Sequence, residues 1–102
     1  MRRPPMSEVA DYAAVNANAL RRLPGLLARW LPDGKRQGRE WVARNPRRTD
    51  RRPGSFKINI ANGAWADFAT GDRGRDVVSL LAYLDDVPRR EARRRLAAML
   101  GA

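Results

Sequence analysis

The chain has 102 residues, of which 43% are hydrophobic, so it can form one domain with a modest core. Cysteine and histidine are both absent, which excludes disulfides, zinc sites built from thiolate or imidazole ligands, and catalysis by either residue. The 21 basic residues outnumber the 11 acidic ones and give a net charge of +10, which favours a polyanionic partner such as nucleic acid.

The positive charge is concentrated in the middle of the chain. Residues 33–75 contain eleven basic and five acidic groups, against five and two in residues 1–32 and five and four in residues 76–102. A merely solvated basic surface is the alternative interpretation. No apolar run reaches membrane-spanning length and no signal-peptide core follows the N-terminus, so we expect a cytoplasmic protein.

The first third of the chain predicts two helices. We expect residues 1–6 to be disordered, a first helix to begin at Ser7, and Pro24 to lie in the first turn of a second helix that ends near residue 31. A strand is predicted over residues 39–44, followed by a basic loop over residues 45–54.

Residues 55–60 alternate apolar and polar side chains, which predicts a half-buried strand. Asn62-Gly63 then predicts a hairpin turn into a second strand over residues 64–68. Two registers are open. A two-residue turn would place Trp65 and Asp67 on the buried face, beside the isoleucines.

A three-residue loop with a left-handed Gly63 is the favoured register, because it buries no charge. It pairs Ile60 with Ala64 and sets Lys57 opposite Asp67, a favourable cross-strand pair. Its buried face would comprise Phe56, Ile58, Ile60, Ala64, Ala66 and Phe68. In this register Trp65 lies opposite Asn59 on the exposed face.

The last third predicts two more helices. After a Gly-rich elbow at residues 71–75, Asp76 is expected to cap a helix to about Leu84, and Pro88 opens a final helix to Leu100. Leu96, Met99 and Leu100 are expected to dock on the domain. The elbow could instead bind a phosphate, with help from Arg73 and Arg75, but capping by Asp76 is the preferred interpretation.

The order of these features resembles the zinc-ribbon domain of bacterial and phage DNA primases. The resemblance covers roughly residues 39–84. It rests on Asn45-Pro46, on Pro53-Gly54-Ser55-Phe56 and on the phrase WADFATGD, which is similar to one in plasmid and prophage primase-helicase proteins. It implies an α+β fold in which a small antiparallel sheet of about three strands, of degenerate zinc-ribbon type, is flanked by N- and C-terminal helices. Residues 7–102 would be a single domain, with helices over 7–31, the sheet over 39–68 and helices over 76–100.

The resemblance also implies that all four zinc ligands are replaced. Asn45, Arg48, Asp67 and Thr70 occupy the ligand positions. One carboxylate with an amide and a hydroxyl is not a zinc site, so we expect no metal and no other cofactor. A charge-assisted hydrogen bond between Arg48 and Asp67 is predicted to replace the metal crosslink, and two unrelated surface side chains are the alternative.

These features predict a non-catalytic domain that binds single-stranded DNA, or another nucleic acid, in primase-like replication of a phage, plasmid or mobile element. A replicative helicase or polymerase is a possible protein partner, and no membrane is expected. The candidate contact residues are Arg36, Arg39, Arg44, Arg47, Arg48, Arg51, Arg52, Lys57, Trp65, Arg73 and Arg75. Arginine forks match phosphate oxygens, and Trp65 would be a stacking platform if it is exposed rather than in the core.

An enzyme is not expected. The acidic cluster that holds catalytic magnesium in primases is absent, and so is a Gly-x-x-x-x-Gly-Lys-Ser/Thr phosphate loop. The alternative function is a protein-interaction module that docks on a replication or host enzyme.

Overall fold

The computed structural model describes residues 6–47 and 54–101, with side chains from Tyr12 onward in the first helix. Over those residues the fold is α+β, with four helices and one five-stranded antiparallel sheet. The elements are α1 (Met6–Arg21), α2 (Leu23–Trp30), β1 (Lys35–Gln37), β2 (Glu40–Ala43), β3 (Phe56–Asn59), β4 (Trp65–Asp67), β5 (Arg73–Gly74), α3 (Val77–Asp85) and α4 (Arg89–Met99). The predicted fold class is confirmed, but the sheet has five strands rather than about three.

The two unexpected strands lie at the edges of the sheet. Strand order follows chain order, β1-β2-β3-β4-β5. The strand β1 forms because Gln37 pairs with Glu40 across a two-residue turn, where Gly38 takes a φ of 61° that a residue with a side chain rarely adopts. The strand β5 forms inside the predicted elbow, because Arg73 and Gly74 pair with β4.

The helices cover one face of the sheet. Phe56 and Ile58 from β3 and Trp65 from β4 supply that face of the sheet, and all are nearly inaccessible to solvent. They belong to one hydrophobic core with the buried leucines of α2, α3 and α4, namely Leu23, Leu26, Leu27, Leu80, Leu81 and Leu96. The alternation of β3 therefore sends Lys57 and Asn59 to the opposite face.

The C-terminal helices begin where the sequence predicts. Asp76 caps α3, because its carboxylate accepts a hydrogen bond from Ser79 N at 2.8 Å and Ser79 Oγ accepts one from Asp76 N at 3.3 Å. The buried stripe of α4 is Ala92 and Leu96, and it continues four residues further to Leu100, the cap residue that follows the helix. Met99 was expected to dock with them but is 39% exposed, because it falls beside that stripe.

The β3–β4 hairpin has neither of the registers considered above. Phe56 pairs with Asp67 and Ile58 with Trp65, which leaves a four-residue loop over residues 60–63. Gly63 is left-handed as predicted, with a φ of 80°. The longer loop is stabilised by Asn59, whose Oδ1 accepts hydrogen bonds from the N–H groups of the next loop residues, at 2.8 Å from Ala61 and 3.2 Å from Asn62.

This register reverses the faces of β4. Trp65 and Asp67 are buried, at 5% and 0% exposure, while Phe68 is 71% exposed. Ala64 and Ala66 lie on the exposed side with Phe68, and Lys57 lies opposite Ala66 rather than Asp67. The predicted buried face and the predicted exposure of Trp65 are therefore wrong, because the pairing is shifted by one residue and a strand has a period of two.

The indole of Trp65 has specific partners in the core. Its Nε1–H donates to Ser79 Oγ at 3.0 Å, and its ring lies 4.6 Å from that of Tyr83 and edge-on to Phe56 at 6.1 Å. Gly74 makes this arrangement possible, because a Cβ at that position would collide with both the indole nitrogen and the serine hydroxyl. These contacts bury far more apolar area than the alanines of the opposite face could.

The observed register predicts opposite effects for two neighbouring aromatic residues. Trp65→Ala should lower the free energy of unfolding by about 3–5 kcal/mol, because it empties a packed core site. Phe68→Ala should change it by less than about 0.5 kcal/mol, because most of that ring is in solvent. Urea titration followed by circular dichroism measures both, and equal losses would contradict the register.

Candidate nucleic-acid interface

The outer sheet face is the side of the sheet that the helices leave uncovered. The strand registers place on it Lys35, Gln37, Glu40, Val42, Lys57, Asn59, Ala64, Ala66 and Arg73. Three of these side chains are cationic and one is acidic. Val42 is only 7% exposed, because it lies between Lys35 and Lys57 in the register and their aliphatic stems can cover it. The face therefore combines positive charge with small or covered apolar groups.

Phe68 adds an aromatic ring to this face. It directly follows β4, where its N–H donates to Ser55 O at 2.9 Å, so its backbone is held beside β3. Its ring is 71% exposed, and Lys57 Nζ lies 5.7 Å from the ring centroid. That distance is within the range of a cation–π contact. An exposed aromatic ring beside a cation can stack a base while the cation contacts a phosphate.

Two hollows flank Lys57 on the outer sheet face. The smaller, of about 180 Å³, includes Asn59, Ala66 and Phe68 in its lining. The larger, of about 400 Å³, includes Lys35 and Gly54. Lys57 lines both hollows, and Gly54 is the point at which the described chain resumes after residues 48–53.

The structure separates the predicted contact residues into several groups. Lys57 and Arg73 lie on the outer sheet face, and Arg36 and Arg39 are exposed in or beside the β1–β2 turn. Arg75 is exposed in the linker before α3. Arg48, Arg51 and Arg52 lie outside the described residues.

Two of the predicted arginines already have acidic partners. Arg44 Nε is 3.9 Å from Asp33 Oδ2. Arg47 Nη2 is 3.4 Å from Asp86 Oδ1, and its guanidinium lies 4.9 Å above the ring of Tyr83. Both ion pairs are largely exposed, so exchanging the carboxylate for a phosphate would cost little.

Trp65 is removed from the candidate contacts, because it is 5% exposed and its indole N–H is satisfied by Ser79. The sequence prediction missed Lys35, Phe68 and Arg89. One signal could have identified Phe68. Phe68 lies on the same strand face as Ala64 and Ala66. These two alanines would bury less apolar area than Trp65 on the other face, so the face that carries Phe68 is the one expected in solvent.

A second concave site lies at the elbow. Arg73, Gly74, Arg75, Asp76, Ser79 and Arg89 line a cavity of about 610 Å³. Because Asp76 caps α3 through Ser79 N, the preferred prediction for this carboxylate is confirmed. At the start of α3, the N–H groups of Val78 and Ser79 therefore donate within the protein, to Asn16 and Asp76.

A buried hydrogen bond joins two of the positions that the primase resemblance assigns to zinc ligands. Asn45 Nδ2 donates to Asp67 Oδ2 at 2.8 Å, and these side chains are 1% and 0% exposed. Asp67 Oδ1 accepts from Ala69 N at 2.8 Å, and Asn45 Oδ1 accepts from Arg47 N at 2.9 Å. The predicted partner Arg48 lies outside the described residues, so Asn45 is the described residue that ties the loop after β2 to Asp67.

The same cluster reaches α3 through Tyr83. The other Nδ2 hydrogen of Asn45 is donated to the Tyr83 hydroxyl at 2.7 Å, and this hydroxyl donates to Asp72 Oδ2 at 2.8 Å. Burial raises the pKa of the Tyr83 phenol, and the hydrogen bond from Asn45 acts in the opposite direction. The neutral phenol of Tyr83 therefore accepts one hydrogen bond, from Asn45, and donates another, to Asp72.

These residues do not fit a zinc ion. The amide of Asn45 contacts the carboxylate of Asp67 directly, so the two side chains satisfy each other instead of converging on a common ligand. Within residues 12–47 and 54–101, no group of three or more acidic, cysteine or histidine side chains could hold a metal. A direct hydrogen bond between Asn45 and Asp67 links the loop after β2 to the end of β4.

Comparisons with protein families and with curated proteins give no match for the chain. No protein-family model matches it, and no curated protein is significantly similar to it. In the part of the chain that the structure describes, no helix is long and apolar enough to cross a membrane.

The buried amide–carboxylate pair predicts coupled stability effects. Asn45→Ala and Asp67→Ala should each lower the free energy of unfolding by about 2–4 kcal/mol, because each leaves a buried polar partner unsatisfied. The double variant should lose less than the sum of the single variants. Thr70→Ala, at another of the four positions but exposed, is the control and should cost less than about 1 kcal/mol. Strictly additive losses would contradict the pairing.

The fold should also be independent of metal. We expect the unfolding temperature to be the same with and without excess chelator, because hydrogen bonds rather than metal–ligand bonds join the loops. Circular dichroism melting tests this, with elemental analysis of the purified protein as the second measurement. Stoichiometric zinc, or a melting temperature that falls with chelator, would refute the expectation.

Proposed function

We propose that the chain is a non-catalytic domain that binds single-stranded DNA across its outer sheet face. The observation that carries this proposal is the exposed ring of Phe68 with Lys57 Nζ 5.7 Å from its centroid. A base stacked on that ring would remove it from water, and the adjacent cation could contact the phosphate of the same nucleotide.

The surroundings of Phe68 support a strand rather than a duplex as the ligand. The hollows beside Lys57, of about 180 and 400 Å³, lie on a sheet face, without a protruding helix to enter a major groove. Lys35, Lys57 and Arg73 lie on three different strands of that face, so successive phosphates could each meet a cation. Such contacts are independent of base identity.

Residues 48–53 extend the proposed interface in sequence. This segment contains Arg48, Arg51 and Arg52 and immediately precedes Gly54, which lines the larger hollow. The resemblance to primase zinc-ribbon domains suggests the setting, which we propose is template binding in primase-like replication of a phage, plasmid or mobile element. A replicative helicase or polymerase would then be the neighbouring protein.

One observation favours the alternative of a protein-interaction module. An apolar hollow of about 270 Å³ lies on the helical side of the domain, between Trp30 on α2, Leu81 and Leu84 on α3 and Met99 on α4. It carries little positive charge and would suit an apolar side chain of a partner protein. Binding of DNA and docking at this hollow use opposite sides of the domain, so they are separable by mutation.

Phe68→Ala should weaken binding of single-stranded DNA by about 1–3 kcal/mol, because it removes the stacking platform. Met99→Ala removes another exposed apolar side chain on the helical side and should leave the affinity unchanged. Fluorescence anisotropy with a labelled oligothymidine about 12 nucleotides long measures both affinities. Phe68→Tyr should retain most of the affinity, since it keeps the ring. An unchanged dissociation constant for Phe68→Ala would refute the proposed site.

Binding should also weaken steeply with salt. Three phosphate contacts by Lys35, Lys57 and Arg73 would give a slope of log K against log salt of about −2. Lys35→Gln with Lys57→Gln should flatten this slope by about 1.4. Arg90→Gln with Arg94→Gln, which removes the same charge from exposed sites on α4, should leave the slope nearly unchanged. A flat salt dependence in the parent protein would favour the protein-interaction alternative.

A further inference from the structure

Three arginines from separate segments line the cavity at the elbow. Arg73 belongs to β5, Arg75 lies in the linker to α3, and Arg89 is the first residue of α4. The cavity has a volume of about 610 Å³. Because Arg89 of α4 comes 14 positions after Arg75 in the chain, the cluster exists only in the folded chain.

These arginines form no ion pair within the described part of the chain. The ion pairs found there involve Arg44, Arg47 and Arg95 instead. All three cavity arginines are exposed, so their guanidinium groups remain accessible to a ligand from solution. Three cations lining one cavity without forming an ion pair repel one another, and an anion would relieve that repulsion.

The carboxylate in the lining does not fulfil this role. Asp76 Oδ1 accepts from Ser79 N at 2.8 Å, and its Oδ2 accepts from the Tyr12 hydroxyl at 3.3 Å. The start of α3 and its cap therefore satisfy each other, and the capacity to bind an anion belongs to the arginines. Three guanidinium groups against one carboxylate leave two positive charges in the lining.

We propose that this cavity binds a phosphate monoester. A monoester carries nearly two negative charges at neutral pH, which matches the lining, whereas a phosphodiester within a strand carries one. Arginine forks contact phosphate oxygens in pairs. A concave volume of about 610 Å³ is also of the size that holds a small ligand group.

Two sources could supply such a group, the terminal phosphate of a nucleic-acid strand or a free nucleotide. Both present the same chemistry to the arginines. This binding goes beyond the proposed function, because it requires no strand on the outer sheet face. Arg73 belongs to both surfaces, so Arg75 and Arg89 are the residues that test the cavity alone.

The test compares ligands that differ only in a terminal phosphate. Oligothymidines with a 5′-phosphate, a 3′-phosphate or hydroxyl ends are titrated by fluorescence anisotropy, and thymidine 5′-monophosphate is compared with thymidine by calorimetry. We expect the phosphorylated form to bind more tightly in at least one of these comparisons. Arg75→Gln and Arg89→Gln should each reduce that advantage about tenfold, as expected for a lost charge-assisted hydrogen bond.

Arg94→Gln is the matched control, because it removes the same charge from an exposed position of α4 outside the cavity. It should leave the phosphate advantage unchanged. An advantage limited to oligonucleotides would assign the cavity to a strand end, and tight binding of the monophosphate would assign it to a free nucleotide.

The absence of any phosphate advantage, or an equal loss in Arg89→Gln and Arg94→Gln, would overturn the proposal. Binding of the hydroxyl-ended oligonucleotide, and its sensitivity to Phe68→Ala, report on the outer sheet face alone. These measurements therefore distinguish a wrong assignment of the cavity from a wrong assignment of the outer sheet face. Circular dichroism melting of each variant shows whether the fold is retained.

Discussion

The rest of the structure depends on the burial of Asp67. Its carboxylate is 0% exposed and must be satisfied inside the protein, because an unsatisfied buried charge would cost more than this small domain could offset. Asn45 supplies one hydrogen bond from the loop after β2, and Ala69 N supplies another from the turn after β4. The backbone of Asp67 also accepts from Gly71 N and donates to Asp72 O, so one residue organises the turn that leads into β5.

The position of Asp67 determines which side chains are available for binding. A strand alternates its faces, so a buried Asp67 requires a buried Trp65 and sends Ala66 and Phe68 outward. The aromatic group proposed to stack bases is therefore exposed as a consequence of how an acidic side chain is satisfied in the core. Tyr83 connects the same cluster to α3, through Asn45 on one side and Asp72 on the other, and so couples the sheet to the helical layer.

Two cationic surfaces of different shape result from this arrangement. The outer sheet face is open, with Lys35, Lys57 and Arg73 around an aromatic ring, and suits a chain of phosphates and bases. The elbow cavity is concave and gathers Arg73, Arg75 and Arg89. The strand β5 is short, yet it lies between the two surfaces and contributes Arg73 to both. The arginines Arg44 and Arg47 are paired with Asp33 and Asp86, and Asp33 also lines the larger hollow beside Lys57.

The sequence by itself determined those features that local chemistry controls. These are the α+β class, the left-handed Gly63, the cap at Asp76 and the start of α4 after Pro88, because each depends on a few neighbouring residues. The absence of cysteine and histidine and the excess of arginine likewise restrict the chemistry of the chain without reference to its fold.

Only the tertiary structure decided the hairpin register and hence the binding face. The registers differ in whether Asp67 is buried, and the cost of burying it depends on Asn45, 22 residues earlier in the chain, and on a turn that forms after the strand. Local alternation cannot reveal such a partner, so the rule against burying a charge gave the wrong face for Trp65 and Phe68. The elbow cavity needed the fold for the same reason, because Arg89 joins Arg73 and Arg75 only when α4 packs against α3.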